Sequence, residues 1–213
     1  NREAYEFTDP AIFGNTSAIV VSSQSGTANL AAKAQEMGLE VDRRDPRILE
    51  ALKKIKDLES KGYVFEDADG SLFLLLQEAL HGPPQLFELE HWTSIVTWLG
   101  DRQIVECVVK VRVGGVSMSA SAEGNGPVNA FDSALKKVLS PVYPGIAYVS
   151  LTGFRVREID APSGTAAAVR ILAEFESNGS RWTTIGVSTN ILKAAEEALV
   201  AGYKYFLLKH NKQ

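Results

Sequence analysis

Ser117–Leu139, SMSASAEGNGPVNAFDSALKKVL, decides how the rest of the chain is read. Met118, Ala120 and Ala122 alternate with Ser117, Ser119 and Ser121, which is the period of a strand with one face buried. The strand runs into Gly124-Asn125-Gly126-Pro127. Beyond it Val128, Phe131, Leu135 and Val138 recur every three or four residues, the spacing of a helix with one apolar face. Pro127 suits the first helical turn, where its missing N–H would have no partner in any case. Asn125 is the candidate side-chain cap, and the two glycines permit a sharp turn with N–H groups left free at the helix start.

The pattern recurs further on. Arg181–Val187 is strand-like, Ser188-Thr189-Asn190 supplies capping side chains, and Ile191, Leu192, Ala195, Leu199 and Val200 form a helical stripe. Two strand-like runs precede each strand–helix pair: Leu86–Trp98 and Ile104–Val113 before the first, Ile146–Ile159 and Thr165–Phe175 before the second. The order is β-β-β-α twice, with the units about 60 residues apart. Two units are too few for a solenoid, so one pseudo-symmetric α+β domain with a shared core is expected.

A chain of 213 residues can hold one large domain or two small ones. Its 45% hydrophobic and 23% charged residues are those of an ordinary globular protein. A net charge of -4 and a pI near 5.5, with no basic stripe, argue against a nucleic-acid partner. No apolar run approaches the roughly 20 residues of a membrane span. The single cysteine, Cys107, lies among valines in mid-strand and reads as a small core residue. A cytoplasmic protein is expected. The chain opens on Asn1-Arg2-Glu3 and enters strong signals at once, as a piece of something longer would.

Before the repeats, Ala4–Gly14 is aperiodic with a turn at Asp9-Pro10, and Ala18–Ser22 is a short strand candidate. Ala28–Met37 reads as a helix stopped by Gly38. Asp45-Pro46 opens an amphipathic helix with Ile48, Leu49, Leu52, Ile55 and Leu58 inward, ending at Lys61-Gly62. Glu66–Gly70 reads as a solvated turn and Ser71–Leu80 as a third helix. His81-Gly82-Pro83-Pro84 is a run of breakers between an α-rich part, 1–82, and a β-rich part, 83–213, and the domain boundary is placed there. The α-rich part is thin for a core of its own and is expected to pack on a domain lying outside this chain.

No catalytic apparatus emerges. His81, His91 and His210 lack metal-ligand spacing to one another, to Cys107 or to acids, so no metal site is expected. Gly124–Pro127 has neither the Lys-Ser/Thr of a P-loop nor a GxGxxG. It reads as a strand-to-helix turn, with the alternative that its N–H groups meet the carboxylate of a small ligand, a helix dipole adding about 0.3–1 kcal/mol. The run Ser163-Gly164-Thr165-Ala166-Ala167-Ala168 puts three alanines at the expected start of a strand. Opposite Leu151 and Phe154 they would line a small apolar cavity, or equally form a closely packed sheet or a dimer seam.

Taken together, these motifs resemble the 2-isopropylmalate synthase/citramalate synthase family. Tyr5, Asp9, Pro10, Gly14, Asn15, Ser25, Gly26 and Asn29 match the segment that follows the family's catalytic barrel. Gly124–Pro127, the Gly164–Ala167 run and Trp182–Ile191 match its C-terminal regulatory domain, the last in the wording of the citramalate branch. The resemblance covers essentially the whole chain. It implies a homodimer whose regulatory domain binds an end-product amino acid, isoleucine or leucine, near the dimer seam. It implies that condensation of acetyl-CoA with a 2-oxo acid belongs to an upstream TIM barrel with a divalent metal, and that this part carries no cofactor. Tyr5 is the one residue here implied to reach that active site.

The effector contacts implied by the matching motifs are Val128, Asn129, Leu151, Phe154, Thr165, Ala166 and Ala168. The chain departs from the family at Gly153-Phe154, where Asp-Tyr is usual. That departure removes polar anchors for an ammonium group and keeps open a second reading, a dimerisation module that no longer binds an effector.

Overall fold

The computed structural model describes residues 26–42, 44–159 and 161–210. Three helices come first: α1 (Thr27–Glu36), α2 (Pro46–Ser60) and α3 (Asp69–His81). Strands β1 (Phe87–Leu99), β2 (Arg102–Val113) and β3 (Val116–Glu123) then lead to helix α4 (Pro127–Leu139). Strands β4 (Ser150–Glu158), β5 (Val169–Ser177) and β6 (Ser180–Ser188) lead to α5 (Ile191–His210). The architecture is α+β, with two antiparallel three-stranded sheets in the orders β1-β2-β3 and β4-β5-β6. Tyr5, the Asp9-Pro10 turn and the strand candidate Ala18–Ser22 lie outside the described residues.

The helix ends follow from their sequences. Asp45 accepts the Arg47 N–H at 2.9 Å, with Pro46 in the first turn of α2. Gly38 takes φ +81° after α1, and the Leu39 N–H returns to the Ala34 carbonyl at 2.9 Å. Asn190 accepts the Leu192 N–H at 2.9 Å at the start of α5. At α4 the cap differs from expectation. Gly126 is the cap residue, and the Asn129 side chain reaches back to accept the Asn125 N–H at 3.0 Å. Gly124 is held there by space, since a Cβ on it would sit 2.5 Å from the Ala130 nitrogen.

The two repeats share one core. Alternate residues of β2, Val105, Cys107, Val109 and Val111, face α4, while Ile171, Ala173 and Phe175 of β5 and Trp182 of β6 face α5. Phe131, Leu135, Leu199 and Tyr203 close the middle. Tyr203 donates its hydroxyl to Asp132, the buried acid of α4, which also lies 3.6 Å from Lys136; burial drives the phenol pKa well above its usual range. Each helix packs on the second and third strands of its own sheet, leaving the inner faces of β1 and β4 part-covered.

The first strand of each repeat carries a bulge at the same place. Register slips between Leu89 and His91 in β1 and between Leu151 and Gly153 in β4. The extra residue turns Leu89 and Trp92, and likewise Leu151 and Phe154, onto one face, which strict alternation forbids. Trp92 pairs with Val109 and on to Ala120; Phe154 pairs with Ala173 and on to Thr184. Ala120 and Thr184 stand equally far ahead of Pro127 and Ile191, so the repeat equates Trp92 with Phe154 and Val128 with Leu192.

The α-rich part has a core within this chain. Leu30, Ile48, Ile55, Leu72 and Leu76 build a second core on the outer face of β5 and β6, against Ile185, Leu172 and Val187, with Tyr205 and Leu208 of α5. Leu49, expected inward, is 47% exposed, and Ala51 takes the buried place. Glu66–Gly70 is a solvated turn only at Glu66 and Asp67. Asp69 and Gly70 open α3 against β6, where Asp69 accepts the Thr183 N–H at 2.8 Å and Ser71 Oγ accepts the Ile185 N–H at 2.9 Å. A Cβ on Gly70 would lie 2.9 Å from the Thr183 carbonyl. The free edge of β6 is thereby sealed by side chains.

Candidate functional site

The start of α5 is flanked by two open clefts. One, about 630 Å³, is lined by Val156 and Glu158 of β4, by Gly164, Thr165 and Ala167 of the connector, and by Val169, Thr189 and Ile191. The other, about 330 Å³, lies against Trp92 and Ser94 of β1, with Asn190, Leu192, Lys193 and Glu196 opposite. A helix N-terminus leaves N–H groups without helical partners and carries partial positive charge, so both clefts offer donors beside apolar walls. Glu196 ties the second cleft shut at its base: it accepts from Trp92 Nε1 at 2.9 Å and from Lys193 at 2.5 Å.

The expected site residues fall into three groups. Val128 is half-buried and Asn129 exposed in the first turn of α4. Leu151 and Phe154 share the inner face of β4 and pack against the common core. Thr165 lines the larger cleft at the far end of the same strand. The alanine run does not open a strand, because Ala161–Ala166 is a 3-10 segment kinked at Gly164 (φ 57°) and β5 begins at Val169. Nor does it face Leu151 and Phe154. In an antiparallel pair the start of the second strand meets the end of the first. Ala168 therefore accepts the Ile159 N–H at 2.9 Å, while Phe154 pairs with Ala173 and Leu151 with Phe175. Ala166 is exposed, Ala168 lines neither cleft, and Ala167 is the alanine that does. The strand expected over Ile146–Ile159 likewise begins late, after a 3-10 turn at Pro144–Tyr148.

Gly153 and Phe154 point to opposite faces. Gly153 sits opposite Glu174 on the outer side, where a Cβ would lie 2.7 Å from Glu174 Oε2, and Glu174 pairs with Arg155 at 2.7 Å. A carboxylate at this position would enter that ion pair rather than the face that carries Phe154.

The description of the LeuA allosteric (dimerisation) domain matches residues 66–207. The chain belongs to that family. The family's match takes in α3 and both repeats, the parts that the edge of β6 holds together. Among similar proteins, the (R)-citramalate synthase of Geobacter sulfurreducens is 40% identical over 209 residues, covering 97% of this chain and 40% of that protein. The (R)-citramalate synthase of Synechocystis is 40% identical over 212 residues, 97% of this chain and 39% of that protein. The 2-isopropylmalate synthase of Methanocaldococcus jannaschii is 28% identical over 211 residues, 98% and 39%. The chain thus spans about two fifths of the length of these relatives.

Within this LeuA-type domain, sequence reasoning missed Trp92, Val156, Thr189 and Ile191 as cleft residues. The repeat itself could have found Trp92, since it occupies the place of Phe154. His81, His91 and His210 are all exposed, and no cluster of His, Cys, Asp or Glu suited to a metal occurs among the described residues. Cys107 is buried in β2 and burial pushes its thiol up to about 11, which makes it a core residue and not a nucleophile. No described helix is long and apolar enough to cross a membrane.

Proposed function

We propose that this chain is the accessory (1–82) and regulatory (83–213) part of a citramalate- or 2-isopropylmalate-type synthase, acting in the cytoplasm as a homodimer that binds an end-product amino acid. The whole protein would condense acetyl-CoA with a 2-oxo acid in an upstream TIM barrel that holds a divalent metal. This part would carry no cofactor, and Tyr5 would reach the barrel's active site. Relatives at 34–40% identity named as (R)-citramalate synthases favour isoleucine over leucine as the effector.

The observation that carries this reading is the start of α5 set between two part-covered inner strand faces, those of β1 and β4, in a domain of an allosteric family. A small branched amino acid needs a modest apolar wall, worth about 1.5–3 kcal/mol when its side chain is buried, and polar groups for its two charges. Of the implied contacts Thr165 lines a cleft, and Val128, Asn129, Leu151, Phe154, Ala166 and Ala168 would contribute once a second copy stands against them. An effector shared across a seam couples its binding to the arrangement of subunits.

Calorimetric titration of the 213-residue chain with isoleucine, leucine and valine tests the proposal. Micromolar isoleucine binding, with leucine weaker and Phe154→Ala reducing affinity about tenfold on an intact dimer, is expected. Absence of heat from all three on a folded dimer would leave the second reading, a dimerisation module without an effector. The placement of Gly153 weakens that alternative, because only the hydroxyl missing from Phe154 bears on the inner face.

A further inference from the structure

A cavity of about 690 Å³ shares Glu196 with the smaller cleft and no lining residue with the larger one. It opens between α3, the Pro83–Leu86 linker, the β2–β3 turn at Gly114-Gly115, and the middle of α5. That size falls within the range of small-molecule sites, and seams between structural units are where such sites concentrate. Leu74, Leu86, Phe87 and Val200 supply its apolar wall.

The charges around it are unequal in what they already hold. Glu78 is paired with Lys54 at 3.0 Å, and Glu88 lies 3.8 Å from Arg112, which also binds Glu90. Glu196 holds Trp92 and Lys193, and Glu197 accepts from the Tyr63 hydroxyl at 3.0 Å and the Val187 N–H at 3.4 Å. Lys204 alone among these lining charges has no oxygen partner among the described residues. Its ammonium stands over the Phe87 ring, 5.5 Å from the centroid. Burial lowers its pKa, against the pull of Glu88 and Glu78, with neither of which it forms an ion pair.

We propose that this cavity binds a small carboxylate with a short apolar body, the carboxylate on Lys204 and the body against Phe87, Leu86 and Val200. A plain carboxylate and a zwitterion share this chemistry. In the zwitterion the ammonium would stand towards Glu78 and Glu88. Either ligand would join the linker and α3 to α5, and so would stiffen the seam between the accessory helices and the repeats.

Nitrogen-proton correlation spectra of the 213-residue chain, titrated with 4-methylpentanoate and separately with leucine, provide the test. Shifts at Phe87, Gly114, Gly115 and Lys204 with either probe are expected. Both probes shifting these amides would mean that the ammonium is tolerated; 4-methylpentanoate alone would make the site one for plain carboxylates, leucine alone one for zwitterions. Lys204→Met should weaken the affinity at least tenfold, and Phe154→Ala should leave it unchanged. Lys204→Arg, which keeps the charge, should retain most of it. No shift at these amides with either probe, shifts confined to the neighbourhood of Val128 and Phe154, or full affinity in Lys204→Met would each overturn the proposal. The effector reading would stand or fall separately on Phe154.

Discussion

Glu90 shows how a bulge turns one side chain into a fastening point. It is the extra residue of β1, and its carboxylate accepts from Ser117 Oγ at 2.8 Å, lies 3.3 Å from Lys110, and pairs with Arg112. The Ser117 hydrogen bond, with Arg112 and Lys110 behind it, holds the Glu90 pKa down at about 2 despite some burial. A carboxyl whose folded pKa is depressed stabilises the fold fully above its unfolded value near 4.5, and that contribution is lost as pH falls from there towards 2. Glu90→Gln should therefore flatten the acid limb of stability against pH between about 4.5 and 2. Parallel urea melts of both proteins across that window check it; coincident slopes would mean that the three strands are not fastened at this point. None of this was readable in the sequence, where Glu90 is one acid in an alternating run.

Among elements, β6 is the instructive one. An edge strand exposes a row of N–H groups, and here those of Thr183, Ile185 and Val187 are taken by Asp69, Ser71 and Glu197. Asp69→Ala should cost about 1 kcal/mol, the usual net worth of one such hydrogen bond. It should also raise hydrogen exchange at the Thr183 amide while leaving the inner strand β5 protected. Unchanged exchange at Thr183 would show that α3 does not seal this edge. The helix boundaries and the caps at Asp45, Gly38 and Asn190 were legible because they depend on neighbours within a few residues. The alanine run at Ala166–Ala168 was misread because a strand's partner depends on register, and register follows from the length of the connector and the bulge in β4.

For the whole molecule, the asymmetry between equivalent sheets matters most. The outer face of β5 and β6 is covered by the core that α1, α2 and α3 build, with α3 directly on β6, while among the described residues that of β1-β2-β3 has no such cover. Ile95 (57%), Leu99 (59%) and Val108 (47%) stand exposed in the β1–β2 hairpin, with Trp98 (65%) beyond the reach of the helices on its other side. Apolar residues clustered in this way mark an interaction surface. With this hairpin in the seam of the proposed homodimer, Trp98→Glu would be expected to shift the protein towards monomer in sedimentation, with the far-ultraviolet spectrum unchanged. A dimer of undiminished strength would put the seam elsewhere.

The sequence by itself determined the β-β-β-α duplication, the α+β class, the caps at Gly38, Asp45 and Asn190 and the family, because each rests on local spacing or on motifs within one unit. Tertiary structure decided the rest. It alone placed α1–α3 on the outer face of the second sheet, turned Gly153 away from Phe154, set Thr165 at the opposite end of β4 from Leu151, and opened the cavity beneath Lys204. These outcomes depend on which faces meet across long stretches of chain. A pattern with a period of two or 3.6 residues says which side is apolar, but not what will cover it.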